Sequence, residues 1–160
     1  MITGTVEEQL TPVVRLNTRS GSLKRGTRLN ESELRFVVDT GFNGIFHLAI
    51  RDDLLRQIGA EPQFVGDIRL ADGSSQSTTI YKLQVRWDDD WKDCLAVALK
   101  TPRSPEQRDR LSNLLGTGLL SGCRLQMDMG IGGVGESMGL GGGRIQRLPT
   151  ARRARRRQQS

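Results

Sequence analysis

Cysteine, histidine and aromatic residues are scarce in this chain, and each shortage removes a class of function. The two cysteines, Cys94 and Cys123, lack the spacing of a disulfide framework or a zinc site. Their apolar neighbours point to buried, reduced thiols. The single histidine, His47, would have to serve any Ser–His or Cys–His catalytic pair, and no nucleophile-elbow pattern surrounds a serine or cysteine. A strand histidine facing solvent or a satisfied pocket is the expectation. No apolar run approaches the length of a membrane span, so no membrane partner is expected. Met1 to Thr11 lacks a basic segment followed by an apolar one, which predicts no signal peptide and a cytoplasmic protein. Asp88-Asp89-Asp90 lies between Trp87 and Trp91 and reads as a solvated turn between packing residues. Gly116-Thr117-Gly118 lacks the Gly-Lys-Ser/Thr ending of a phosphate loop. No metal or cofactor is expected.

What is present is uneven. A chain of 160 residues makes one domain and can bury an ordinary core. Aromatics are 4% of residues, while glycines number 19, a balance that favours strands and turns over a helical bundle. The net charge of +6 belongs to the end of the chain. Residues 1–143 carry 17 Lys+Arg and 18 Asp+Glu, and residues 144–160 carry seven Arg and no acid. Eight of the fourteen residues from Gly130 to Gly143 are glycine, too few apolar groups to offset their ordering entropy. The expected division is a folded domain over 1–129 and a disordered tail over 130–160, first Gly-rich and then Arg-rich. The tail suits unspecific electrostatic contact with nucleic acid or acidic partners. It has no aromatic ring on which a base could stack.

The body reads as mainly β. Ile2 to Val6 and Pro12 to Leu16 form a hairpin, and polar Asn17 to Asn30 reads as a mobile loop. Leu34, Phe36 and Val38 alternate as one inward strand face. Ile45 to Ile50 is the next strand. Leu54, Leu55 and Ile58 have helical spacing, with Gly59 as the stop. Val65 to Val85 is a hairpin turning at Ala71-Asp72-Gly73-Ser74. Cys94 to Leu99, Leu111 to Leu115 and Cys123 to Met129 are further strands. Ser104-Pro105 can open a short helix, and Thr117 to Leu120 is a helical turn.

One stretch organises the rest: Phe36-Val37-Val38-Asp39-Thr40-Gly41-Phe42-Asn43-Gly44. A buried strand runs straight into a carboxylate, which is costly to bury unless its charge is used or shared. Gly41 and Gly44 allow the backbone to turn closely on either side. A phosphatase-type Asp nucleophile would want a second acid two residues on, where the chain has Gly41.

Asp39-Thr40-Gly41 after a hydrophobic strand resembles the active-site loop of aspartic proteases. Leu114-Leu115-Gly116-Thr117-Gly118-Leu119-Leu120 resembles the apolar-apolar-Gly segment and short helix beside that loop in retroviral-type, retropepsin-like enzymes. The Phe42-Asn43-Gly44 continuation is similar to bacterial and archaeal members of that clan, so viral specificity does not transfer. The resemblance spans Leu34 to Met129, and more weakly Ile2 to Leu16. It implies a single-lobed retropepsin-like β-barrel with one or two short helices, acting as an aspartic endopeptidase on peptides or proteins. Asp39, Thr40 and Gly41 would be catalytic, with Phe42 and Asn43 beside the substrate. Asp72, Gly73 and Ser74 would form the flap tip, with Leu70 and Ile80 lining the closed tunnel.

Peptide hydrolysis by carboxylates needs two of them sharing a proton, one as base to a water and one polarising the carbonyl. The chain has one Asp-Thr-Gly, so the second carboxylate is expected from a homodimer partner across a two-fold axis. A reading of another class keeps the fold as a non-catalytic dimeric binding module, with Arg152 to Arg157 holding nucleic acid or acidic partners.

Overall fold

A computed structural model describes residues 2–7, 11–21, 30–42, 44–70, 72–127 and 142–148. Ten strands and three short helices occur among these residues. In chain order they are β1 (Ile2–Glu7), β2 (Thr11–Ser20), β3 (Glu31–Val38), β4 (Leu48–Arg51) and α1 (Asp52–Gln57). There follow β5 (Glu61–Arg69), β6 (Ser75–Trp87), β7 (Asp90–Leu99) and α2 (Pro105–Arg110). The last are β8 (Asn113–Leu115), α3 (Thr117–Leu120), β9 (Cys123–Met127) and β10 (Gly142–Arg147). Among the described residues no helix is long and apolar enough to cross a membrane.

Six strands close into a barrel in the order β6, β7, β4, β8, β3, β2, with β2 returning to pair with β6. The alternation that marks β3 in the sequence is what fills it. Leu34, Phe36 and Val38 are buried on the inside, with Arg35 between them on the outside. On β6 the period-two set Tyr81, Leu83, Val85 and Trp87 joins the same core, which α1 plugs with Leu55 and Ile58. Gly59 ends α1 at φ +68°, and its N–H returns to Arg56 O, the left-handed stop that glycine makes cheaply. Cys94 is buried, and burial pushes its thiol up to about 12.

Three expectations are corrected here. The polar segment after Leu16 is not a loop at its start, because β2 runs on to Ser20. Thr18 is buried and its hydroxyl donates to Ser32 O at 2.9 Å. The Arg19 guanidinium lies 3.9 Å over the Trp91 ring and donates to Gln84 Oε1 at 2.9 Å. Polar residues thus close the barrel by satisfying one another, a signal that hydrophobic periodicity does not carry. Residues 22–29 lie outside the described residues. The second correction is the helix count: α2 starts at Pro105 as expected, making three short helices rather than one or two, although Ser104 makes no side-chain cap.

The third concerns the domain end. Residues 142–147 are not a disordered tail. β10 lies between β1 and β9, antiparallel to both, with Ile145 opposite Ile2 and Leu125. Ile145 is 2% exposed and belongs to the main core. The apolar residue that secures this strand lies beyond the glycine run, between Arg144 and Arg147. Residues 128–141 and 149–160 lie outside the described residues, as do Ile131 and Val134.

Truncation after Met129 removes the only strand that β9 pairs with among the described residues. It is expected to lower the melting temperature markedly, whereas truncation after Leu148 should not. Ile145→Ala should cost about 2–4 kcal/mol in chemical denaturation. Unchanged midpoints for the first truncation and the point mutant would show that β10 contributes no stability.

Candidate active site

Asp39 is delivered to the barrel end by β3. That strand runs parallel to β8, with Val38 opposite Leu115, and the Asp39 N–H continues the pairing by donating to Leu115 O at 3.0 Å. The chain then turns: Phe42 N–H donates back to Asp39 O at 3.2 Å. Within the turn the Gly41 N–H donates to Asp39 Oδ1 at 2.8 Å, which orients the carboxylate. Asp39 is half-buried, and Thr40 and Gly41 are exposed. Asn43 lies outside the described residues.

The turn is clamped from the far side by the segment after β8. Thr117 N–H donates to Phe42 O at 3.0 Å. Gly116 lies so close that an added Cβ would be 2.5 Å from both Phe42 Cδ1 and Phe42 O. The neighbouring Gly118 is pressed on Phe46 O, at 3.2 Å for an added Cβ. Glycine is needed at 116 for this approach.

One supporting residue went unnoticed in the sequence, and a second stands in a different setting from the strand expected of it. Asn113 is buried at the start of β8; its Oδ1 accepts Arg51 N–H at 3.0 Å and its Nδ2 donates to Arg35 O at 3.1 Å. It therefore ties β3 and β4 to β8. A lone amide in an otherwise apolar strand was the available signal. His47 was expected in a strand, but β4 begins only at Leu48 and residues 45–47 are irregular. Its ring is half-buried and its Nδ1 accepts the Leu95 N–H at 3.1 Å, so of the two expected settings it has the satisfied pocket.

The hairpin of β5 and β6 reaches the same region through apolar contacts. Ala49, Ile80 and Val97 form a small buried cluster on which Phe42, Phe46, Leu114 and Ile68 pack. Phe42 from the Asp39 turn and Ile68 from the hairpin thus share one patch. The exposed Ile45, Val65 and Leu70 add apolar surface to the same two segments. Ile80 corrects an expectation: it is fully buried beneath the hairpin and cannot line a tunnel. At the exposed tip, the Ser74 N–H and hydroxyl both donate to Asp72 Oδ1, at 2.9 and 2.6 Å. These bonds hold the Asp72 carboxyl below its ordinary range. Gly73 takes φ +85° and donates to Leu70 O at 2.9 Å. Among the described residues no hydrogen bond joins this tip to the Asp39 turn.

No group of three or more His, Cys, Asp or Glu among the described residues could hold a metal ion. The other strongly placed carboxylates have structural partners. Arg51 binds Asp53 through Nε at 3.0 Å and Nη2 at 2.7 Å, which brings the Asp53 pKa to about 2. Glu7 pairs with Arg35, and Thr101 bonds Asp52. Asp39 differs in that, among the described residues, no cation and no side-chain donor bonds its carboxylate; the bond it accepts comes from the Gly41 N–H.

Comparison with protein-family models, with curated proteins and with solved structures finds no match.

Gly116→Ala should destabilise the protein by about 1–3 kcal/mol, because the new methyl meets the Phe42 carbonyl oxygen as well as its ring, so rotating the side chain alone cannot relieve the clash. Gly118→Ala, with looser surroundings, should cost less. Denaturation midpoints rank the two, and the amide shifts of Gly41 and Thr117 report the turn. A Gly116→Ala protein with wild-type stability and shifts would contradict the clamp.

Proposed function

We propose that the chain is an aspartic endopeptidase of retropepsin-like fold, active as a homodimer. The observation that carries this reading is the Asp39 turn itself. A β-barrel strand ends in Asp-Thr-Gly, the turn is clamped by the Leu114-Leu115-Gly116 segment, and a long hairpin packs on the same apolar patch. An extended peptide would lie between that patch and the hairpin.

Each chain has one such turn, so the reactive pair is Asp39 and its copy in the second chain. One carboxylate is ionised and takes a proton from a water held between the two. The other is protonated and hydrogen-bonds the scissile carbonyl oxygen. Attack of the water oxygen gives a tetrahedral gem-diol. Its collapse breaks the C–N bond, and a proton from the dyad goes to the leaving amine. Thr40, exposed at the turn, would bond the partner's turn and keep the pair in register. The hairpin tip at Asp72, Gly73 and Ser74 would close over the peptide and exclude water.

The alternative, a non-catalytic binding module with a basic tail, draws on Arg152 to Arg157 alone. Salt-sensitive binding of nucleic acid without any peptide cleavage would favour it.

Asp39→Asn is expected to abolish cleavage of a peptide library while the circular dichroism stays unchanged. An asparagine Oδ1 can still accept the Gly41 N–H, so the turn keeps its bond. Specific activity should fall with dilution as the dimer dissociates, and Thr40→Val should weaken association by about 1 kcal/mol. Full cleavage by Asp39→Asn, or a fully active monomer in sedimentation, would end the reading.

A further inference from the structure

His47 joins β7 to the support of the Asp39 turn. Its backbone N–H donates to Leu95 O at 3.0 Å, and its backbone O accepts the Gly116 N–H at 3.0 Å. Its ring Nδ1 accepts the Leu95 N–H at 3.1 Å. Within a strand pair a backbone carbonyl would take that N–H. Here the chain has left the strand, and the imidazole replaces the carbonyl.

That substitution makes the bond conditional on protonation. An N–H donating to Nδ1 requires a lone pair there, so the ring is neutral with its proton on Nε2. Protonation at Nδ1 would set two N–H groups against each other and leave the Leu95 N–H without an acceptor. Partial burial of the ring, and then the Lys92 ammonium, hold the His47 pKa below its ordinary 6.5. On β7, Lys92 is the charge that acts on the ring, while Asp93 is engaged by Lys82 and Gln84. The other segments packed on His47, residues 44–46 and 115–118, contain no ionisable side chain.

We propose that His47 is a positioning residue for Asp39 and holds the active-site turn only while its ring is neutral. The path to Asp39 is short. His47 O holds Gly116, Gly116 abuts Phe42, and Phe42 N–H bonds Asp39 O. Gly118 lies against the ring on the other side, where an added Cβ would be 3.6 Å from His47 Cδ2. A ring driven out by protonation removes support from both glycines. Because the folded-state pKa is depressed, this support is complete above the ordinary 6.5 and is lost as pH falls through the folded value. An acid limb in catalysis would then report His47 rather than the carboxylate pair. For catalysis this role rests on the protease reading; for the geometry of the turn it does not.

Two substitutions separate acceptor from titration. His47→Asn places an amide oxygen near the position of Nδ1 and does not titrate. His47→Leu has no acceptor. Amide hydrogen exchange of Leu95, Gly116 and Thr117 is followed in the full chain from about pH 7.5 to about pH 5, with intrinsic exchange rates divided out. In the wild type, Leu95 protection should fall about tenfold or more across this range. In His47→Asn it should stay flat, and in His47→Leu it should be low throughout. Cleavage of a peptide library by the same proteins should show an acid limb in the wild type that His47→Asn lacks. The same pH dependence of Leu95 protection in wild type and His47→Asn overturns the proposal. Absence of peptide cleavage with the expected exchange pattern sinks the protease reading and leaves the positioning role standing. Should His47→Asn not fold, the ring nitrogen chemical shifts of wild-type His47 decide. A proton on Nε2 at neutral pH, lost as an isolated tautomer on acidification together with Leu95 protection, supports the proposal. A proton on Nδ1 at neutral pH overturns it.

Discussion

The Asp39 turn depends on a contact that no side chain could make. Gly116 brings backbone against the ring and carbonyl of Phe42, and the next residue's N–H bonds that carbonyl. Both segments arrive there because β3 and β8 run parallel and in register, Val38 beside Leu115. A carboxylate at a strand end is ordinarily free to move with its loop. This one is fastened before it by the Asp39 N–H on Leu115 and after it by Phe42. The placement of this carboxylate comes from backbone geometry rather than from a network of side chains.

The support extends outward through polar residues in apolar places. Asn113 spends its amide on the backbones of β3 and β4, so the strand that carries Asp39 cannot slip against its neighbours without unpairing buried groups. His47 does the same between β7 and the Gly116 segment. Arg19, bonded to Gln84, holds the seam where β2 meets β6 and the barrel closes, while Thr18 bonds Ser32 on the neighbouring β3. These few groups sit among a core that is otherwise apolar. They supply register, which hydrophobic burial alone specifies poorly because it is non-directional.

Much of this was legible from the residue order. Leu34, Phe36 and Val38 announce β3 by alternation, and β5 with β6 is announced by two strand-like runs around Asp72-Gly73. The helical spacing of Leu54, Leu55 and Ile58 marks α1. The errors share a cause. Asn17 to Ser20 looked like loop because their strand is held by pairing with distant residues. Ile45 to His47 looked like strand because two of the three are apolar, although the chain there is shaped by contacts with β7 and Gly116. Ile80 looked like a tunnel wall by its place near the hairpin tip. The odd step from Ile80 to Leu83 puts it on the opposite face, where it is buried under Ile68 and Gly66.

The residue order by itself determined which segments could be strands, where the chain must turn, and that one carboxylate stands alone after a buried strand. Those properties are local: side-chain period, backbone freedom at glycine, and the cost of a charge beside apolar neighbours. Only the tertiary structure decided which strands meet, that Gly116 faces Phe42, that Asn113 and His47 take up the backbone groups around them, and that Gly142–Arg147 completes the sheet between β1 and β9. Such pairings join residues far apart in sequence, and their free energy exists only once both partners are in place. No window along the chain contains it.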